Sequence, residues 1–350
     1  MKLDLSQIQP LIDSRHIDVQ VHPTGQLLIY NYTQKCQFDR VWNEQTMMCR
    51  GLITTLDGEI VARPFKKFFN YGEYELPPVM LEEPFEVFEK YDGSLGILYF
   101  IGKESYIATR GSFASEQAFK ATEILKNHHS DLRFDPKYTY LFEIIYPQNK
   151  IVVDYGRLEA LVLLTAIETE TGKEKTYEEL WEEFGDKIMI ARRYNGISDV
   201  STLKGLAADN QEGFVVRFAS GLRLKVKFEE YVRLHRLITG FSSKSIWECL
   251  KNDQNITDFL ENVPDEFYQW VSSTKDRLES DFNAIKTVSE GDLMAVVDLE
   301  SRKEKAIYVR QKAKYPSIVF TMMDGKDYKL AIWKLLRPKF EKPFRKDIDA

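Results

Sequence analysis

The stretch EKYDGSLG, residues 89–96, is where the reading of this chain turns. Lys90 is followed by Asp92 and Gly93, and Gly96 comes soon after. Apolar residues alternate before it (Phe85, Val87) and after it (Leu95, Ile97, Tyr99). Alternation of this kind marks half-buried strands, and Asp-Gly is a strong turn pair. The spacing therefore predicts two strands meeting around Gly93, with an amine at the end of the first. An amine attacks an electrophile only when neutral, and a lysine's reference pKa is about 10.4. A site that uses Lys90 in this way is expected to depress that value by burial or by nearby cations.

The same texture extends to both sides. Residues 25–75 read as β-rich, with GQLLIYNY alternating and RGLITTLDGEIVARPF forming a hairpin at Asp57-Gly58. A further turn is predicted at Gly102. SEQAFKATEILKNHH has helical spacing through Ala118, Ala121 and Leu125. TYLFEIIYP and EALVLLTAIE are predicted strands, and TYEELWEEFG is a short helix ended by Gly185. EGFVVRF and LRLKVKF form a third hairpin, turning at Ser220-Gly221. YVRLHRLITG is helical, and from Ser242 onward the pattern is helical throughout. Phe267, Trp270, Val271, Leu278, Phe282 and Ile285 fall on one apolar stripe. The expectation is an α+β chain: an antiparallel-sheet domain over residues 1–240, then an α-helical domain over 241–350.

Composition bounds the function classes. Of 350 residues, 43% are hydrophobic and 29% charged, which is ordinary for a globular protein. The longest apolar run, ALVLLTAI, is far short of the ~20 residues that cross a bilayer. MKLDLSQIQP lacks the basic and apolar regions of a secretory signal. Cys36, Cys49 and Cys249 are odd in number and widely spaced, so they suggest neither a disulfide framework nor a zinc site, and they suit a reducing cytoplasm. The net charge of −6 argues against indiscriminate coating of nucleic acid but leaves room for a local basic site.

Such a site is visible in LRLKVKF. Lys225 and Lys227 are two apart on a strand and share a face, while Leu224, Val226 and Phe228 take the other. Two ammonium groups on one face repel unless an anion lies between them, and a polyphosphate would satisfy both. Carboxylates also interrupt apolar strands: Glu143 in LFEII, and Glu212 at the start of EGFVV. Mg²⁺ takes one or two carboxylates plus substrate phosphates, a count these acids meet.

KYDGS, FEIIYP, EGFVV and LKVK occur here in the order and spacing found in covalent lysyl-nucleotidyltransferases. The chain more closely resembles the RNA ligase 1 family of T-even bacteriophage, through YNY (30–32), CRGLI (49–53), ARPFKKFFNYGE (62–73), GSFASEQA (111–118), FEIIYPQNKIVVDY (142–155) and KVKFEEYVRLH (225–235). The likeness spans roughly residues 28–236 and fades in the helical region. It implies that Lys90 becomes adenylylated and that Arg50, Arg63 and Lys67 hold the β and γ phosphates of ATP. It implies a ribose contact for Glu143, a metal- and lysine-supporting role for Glu212, and α-phosphate contacts for Lys225 and Lys227. Tyr30, Phe69, Glu89, Asp92 and Gly93 fall at nucleotide-site positions; in such a site Gly93 lets backbone approach the nucleotide and Asp92 bonds within the turn. Arg110 stands where the family often has lysine, and the two are not interchangeable at a phosphate. The implied cofactors are ATP and Mg²⁺, with Mn²⁺ able to substitute. The implied partner is RNA with 5′-phosphate and 3′-hydroxyl ends, with no membrane and no protein partner indicated. The implied location is the cytoplasm of a bacterium or phage-infected host.

Each motif has a plainer reading when taken alone. KYDGS is a hairpin turn, LKVK an exposed strand face, Glu212 a loop acid, and Arg50, Arg63 and Lys67 surface cations. Tyr30 and Phe69 read equally well as core. It is the order of the motifs that favours the nucleotide site. A capping guanylyltransferase or DNA ligase commonly carries a β-barrel after the LKVK strand, whereas helices follow here. A non-catalytic relative would not need Lys90, Glu212 and Lys227 together. His128-His129 diverge on a helix end, His235 reads as structural, and the basic run 334–347 with Phe340 and Phe344 reads as an RNA contact or a solvated tail.

Overall fold

Alternating apolar residues build three sheets in the first part of the chain. The computed structural model describes residues 2–73, 83–206, 210–254, 256 and 265–341. The first sheet runs in chain order: β1 (Ile17–Val21), β2 (Leu27–Tyr32), β3 (Arg50–Thr55) and β4 (Ile60–Ala62). The second has β10 (Ala160–Glu168) beside β9 (Tyr138–Ile145), then β7 (Ser94–Ile101) and β8 (Glu104–Thr109). The third places β11 (Arg193–Tyr194) beside β6 (Phe85–Glu89), then β12 (Gly213–Phe218), β13 (Arg223–Lys227) and β5 (Phe69–Asn70). Among the described strand pairs only β13–β5 is parallel. With the helices that follow, the fold is α+β, as expected.

The second sheet is covered on both faces, which is why its strands read as nearly continuous apolar runs. Leu98, Tyr140, Phe142, Leu161 and Leu163 pack with Ala121, Ile124 and Leu125 of α4 (Glu116–His128) and with Leu180 and Phe184 of α5 (Tyr177–Phe184). On the other face Ile97, Tyr99 and Leu141 meet Leu27, Ile29 and Ile53 of the first sheet. A full-length aliphatic side chain buried in such a core contributes about 1.5–3 kcal/mol.

The hairpins at Asp57-Gly58, Gly102 and Ser220-Gly221 form as predicted. The pair predicted around Gly93 does not. β6 bonds to β12 and β11, whereas β7 bonds to β9 and β8. Residues 90–93 therefore pass from the third sheet to the second. The β-rich stretch 25–75 also holds two short helices, α2 (Gln34–Phe38) and α3 (Glu44–Met48). Thr33 and Asn43 cap them by accepting the amide N–H groups of Cys36 and Thr46. Ahead of them all lies α1 (Leu5–Asp13), capped by Asp4.

The chain divides into two units, Met1–Val232 and Arg233–Ala350. The helix α6 (Glu229–Gly240) runs across the division, whereas the sequence reading put the boundary after it. Its first turn belongs with the sheets because the Tyr231 hydroxyl donates to Asp92 Oδ1 at 2.8 Å. The second unit is helical: α7 (Ser243–Lys251), α8 (Asp265–Met294), α9 (Arg302–Lys312), α10 (Pro316–Met323) and α11 (Lys329–Leu335). The predicted stripe of α8 is real: Phe267, Val271, Leu278 and Ile285 are buried, Ile285 against Ile318 and Ile332. Among the described residues no helix is long and apolar enough to cross a membrane. Phe344 lies outside the described residues.

Candidate active site

Crossing from one sheet to another puts Lys90 on the wall of a cavity of about 510 Å³. The cavity is lined by Arg50, Glu89, Lys90, Gly93, Arg110, Glu143, Lys225 and Lys227 among the expected residues. The backbone N–H of Lys90 donates to Gly213 O at 2.9 Å, which anchors the start of the crossover to β12. Glu212, one residue earlier, is buried and takes two ammonium groups: Lys90 Nζ on Oε2 at 2.7 Å and Lys227 Nζ on Oε1 at 2.8 Å. Gly213 allows this juxtaposition. Its φ is +140°, and a Cβ there would meet Val226 O at 2.0 Å.

The charge pattern corrects one expectation. Burial works to lower the Lys90 pKa, but Glu212, Glu143 and Asp92 outweigh it and hold the amine above the ordinary lysine value. The depressed amine is Lys225, pushed down to about 6 by burial and then by Arg50, Lys90, Lys67 and Lys227. It packs over the Phe68 ring, 4.6 Å from the centroid. Burial pushes Glu143 up to about 7, although Lys90 pulls the other way. Burial also works to raise Glu212, but its two lysine partners hold it below the usual carboxylate range. Burial raises Glu89, to which the Tyr194 hydroxyl donates at 3.3 Å.

Asp92 and Gly93 are structural in a different way from that expected. Asp92 does not bond within its own turn. Oδ2 accepts the N–H groups of Val152 and Val153 at 2.8 and 2.9 Å, and Oδ1 accepts Tyr231. Its own N–H donates to the Tyr155 hydroxyl at 2.8 Å. Gly93 is needed because β9 comes close: a Cβ would lie 2.5 Å from Ile144 O. The Gly93 N–H donates to Glu143 Oε1 at 3.0 Å.

The remaining expected residues divide. Nη1 of Arg50 is buried without a hydrogen-bond partner, next to a cavity in which it would find an anion. Arg110 donates from Nη1 to the Tyr32 hydroxyl at 3.2 Å, and its guanidinium lies over that ring. The Lys67 ammonium lies over Phe69 and Trp42, 4.6 and 5.2 Å from their centroids. Phe69 pairs with Leu224 in register, so β5 carries it beside the lysine strand. Arg63 is placed elsewhere: its N–H donates to Thr139 Oγ1 and its Nη2 reaches Glu170 O at 3.4 Å. Tyr30 sits in the core with Ile8, Ile17 and Leu52.

Sequence reasoning missed Asn31, Phe65, Phe68, Gln117, Arg217 and Arg223, all of which line the cavity. Only Arg223 left a signal, two residues before Lys225 on the same alternation. Its guanidinium and that of Arg217 are held by Glu174. The cysteines are free and buried. Among the described residues no group of three His, Cys, Asp or Glu side chains is placed to hold a metal. Both oxygens of Glu212 are engaged by lysines, so Glu143 and Glu89 are the carboxylates open to a cation. That set suits an Mg²⁺ ion whose other ligands are phosphate oxygens and water.

This arrangement can take up a polyanion and present an amine to it. The model of a family described as RNA ligase matches residues 48–232, which contain Lys90, Glu143, Glu212, Lys225 and Lys227. An RNA ligase of Rhodothermus phage RM378 is 24% identical over 91% of this chain and 90% of its own. A solved archaeal ATP-dependent RNA ligase, at 16% identity, superposes with a TM-score of 0.51 over 88% of this chain and 86% of its own, so the fold is shared. Matched along more than half of its length, the chain belongs to the RNA ligase family.

Proposed function

We propose that this protein seals RNA, using ATP, through an adenylate carried on Lys90. The observation that supports this most is the buried Lys90–Glu212–Lys227 bridge facing the unpaired Arg50 nitrogen and the neutral Lys225 across one cavity. Lys90 Nζ forms a bond to the α-phosphorus of ATP as the bond to pyrophosphate breaks, and the ammonium proton passes to a carboxylate or to solvent. A 5′-phosphate oxygen of RNA then takes the adenylate, and Lys90 recovers its proton. A 3′-hydroxyl oxygen attacks the phosphorus of the RNA's own 5′-phosphate and gives its proton to solvent, the bond to AMP breaks, and a phosphodiester remains. Each step needs in-line placement and charge neutralisation. Lys227, Lys225 and Arg50 supply cations, Glu212 orients Lys90, and Glu143 or Glu89, which line the cavity, would hold the divalent ion. When bound, that ion neutralises phosphate charge. The buried free cysteines suit a reducing cytoplasm.

The test is a strand-joining assay with 5′-phosphorylated RNA, ATP and Mg²⁺. Sealed product is expected with a ribose 3′ end and a large loss with deoxyribose, since the 2′-hydroxyl is what distinguishes RNA. Equal sealing of DNA ends would favour a DNA ligase, and covalent labelling by GTP in place of ATP a capping enzyme.

Lys225 gives a second prediction. With a pKa of about 6 it is neutral in the free protein at pH 7.5. A triphosphate alongside favours the ammonium form, so ATP–Mg²⁺ binding should take up about one proton between pH 7 and 8. The uptake should vanish as pH falls below about 6, where Lys225 already holds its proton. Calorimetry in buffers of different ionisation enthalpy measures this. The difference between wild type and Lys225→Met isolates Lys225 from Glu143, which titrates nearby. Equal proton uptake in both proteins would show that Lys225 is charged throughout.

A further inference from the structure

Charge is distributed very unevenly along this acidic chain. Residues 302–339 hold eleven Lys and Arg against three Asp and Glu, in a protein whose net charge is −6. The preceding helix α8 has the opposite bias, with seven acids and three bases. A solvated helix face usually mixes signs; a segment with net charge +8 inside an acidic chain does not conform to that pattern.

The structure turns this excess outward. On α9 the residues Lys303, Ile307, Arg310 and Lys314 (just past its end) fall at i, i+4, i+7 and i+11, so they share one side. All four are exposed, while Val309 on the opposite side is buried against Val296 and Val319. The stripe is about 16 Å long at 1.5 Å per residue. Lys329, Lys334, Arg337 and Lys339 are exposed on α11 and the turn after it, beside exposed Leu330, Leu335 and Phe340.

Few of these cations are neutralised. Asp324 takes Arg302 at 2.8 Å and Lys326 at 3.3 Å, and Glu304 is used in the cap of α9, where it accepts the Ser301 N–H. Among the described residues no carboxylate pairs with Lys303, Arg310, Lys314, Lys334 or Lys339. Unpaired like charges held on one face raise each other's free energy and are relieved by an extended polyanion.

We propose that the exposed cationic stripe of α9, Lys303, Arg310 and Lys314, docks the phosphate backbone of the RNA substrate. This rests on the ligase reading above and names where the second unit meets that substrate. The first unit carries the acidic balance of the chain, and on the ligase reading its cavity cations serve the nucleotide. Docking through phosphates is independent of sequence, depends on salt and rewards longer strands.

The test uses the full chain and a single-stranded 5′-phosphorylated RNA of about 24 nucleotides, without ATP, at several salt concentrations. Lys303→Gln/Arg310→Gln/Lys314→Gln removes three phosphate contacts. The slope of log affinity against log salt should flatten by about 2, and affinity near 0.1 M salt should fall on the order of 100-fold. Covalent labelling by ATP should stay within about twofold of wild type, because none of the three residues lines the cavity. Lys303→Arg/Lys314→Arg keeps the charge and should keep the wild-type slope, which separates lost charge from lost folding. Lys103→Gln/Lys137→Gln, exposed cations of the first unit, should leave the slope unchanged. An unchanged slope in the triple variant, or an equal flattening in the first-unit control, would overturn the proposal. So would polyglutamate of matched charge displacing the triple variant and the wild type with equal ease while RNA binding is unaltered. Failure of wild type to label with ATP would sink the ligase reading but leave this salt dependence to be read on its own.

Discussion

Lys90→Ala is expected to abolish covalent labelling of the protein by ATP, a loss of roughly 10³-fold or more, as when a catalytic nucleophile is removed. The cavity holds a rival. Lys225 is the neutral amine of the resting site and on basicity alone would be the readier nucleophile. Yet a triphosphate bound in the cavity would return the proton to Lys225. Lys90 is instead held by Glu212 Oε2 at 2.7 Å, with Glu143 nearby. Lys90→Arg should fail as completely, since a guanidinium keeps its proton at any working pH. Because Lys90 sits above the ordinary lysine value, its neutral fraction grows as pH rises. Labelling by wild type should therefore accelerate up to tenfold per pH unit across the neutral range. Labelling that survives in Lys90→Ala but disappears in Lys225→Met would move the nucleophile to β13.

Asp92→Ala is expected to give the largest loss of stability of any single change at the site, about 3–6 kcal/mol from three hydrogen bonds to one buried carboxylate. The Val152 and Val153 N–H groups and the Tyr231 hydroxyl would be left buried without an acceptor. At roughly 2–4 °C per kcal/mol for a unit of this size, thermal unfolding should move down by about 10 °C or more. Labelling should fall with it, because Asp92 holds the crossover that carries Lys90. The two effects separate by temperature: labelling by Asp92→Ala should recover substantially in the cold, whereas that of Lys90→Ala should not. Wild-type stability in Asp92→Ala would make its buried bonds irrelevant to the fold and return Asp92 to direct contact with the nucleotide.

These two residues show where reading the chain succeeds and where it stops. Lys90 was visible because its motif lies in register with FEIIYP, EGFVV and LKVK, and Lys225 and Lys227 because strand alternation puts them on one face. Asp92 was visible as a residue but not in its role. Its partners are 60, 61 and 139 positions away, and no local pattern announces a bond of that span. The same holds for Arg63 and Tyr30. Each sits in a matching motif, yet Arg63 is drawn toward the Glu170 carbonyl and Tyr30 into a core with Ile8. Asn31 and Gln117 line the cavity without any sequence mark, because neutral amides are common on strands and helices alike.

The chain alone determined the alternation of its strands, the hairpins at Gly58, Gly102 and Gly221, the helical second unit and the residue types that chemistry needs. Those follow from side-chain periodicity and turn conformation, which are local. Only the tertiary structure decided that residues 90–93 cross between sheets instead of closing a hairpin. It also decided which lysine carries its proton, and it did so by placing carboxylates: Glu212, Glu143 and Asp92 converge on Lys90, while Arg50, Lys67 and two further lysines surround Lys225. A charge's energy depends on every neighbour within a few ångströms and on how much water is excluded, and both are properties of the packed fold.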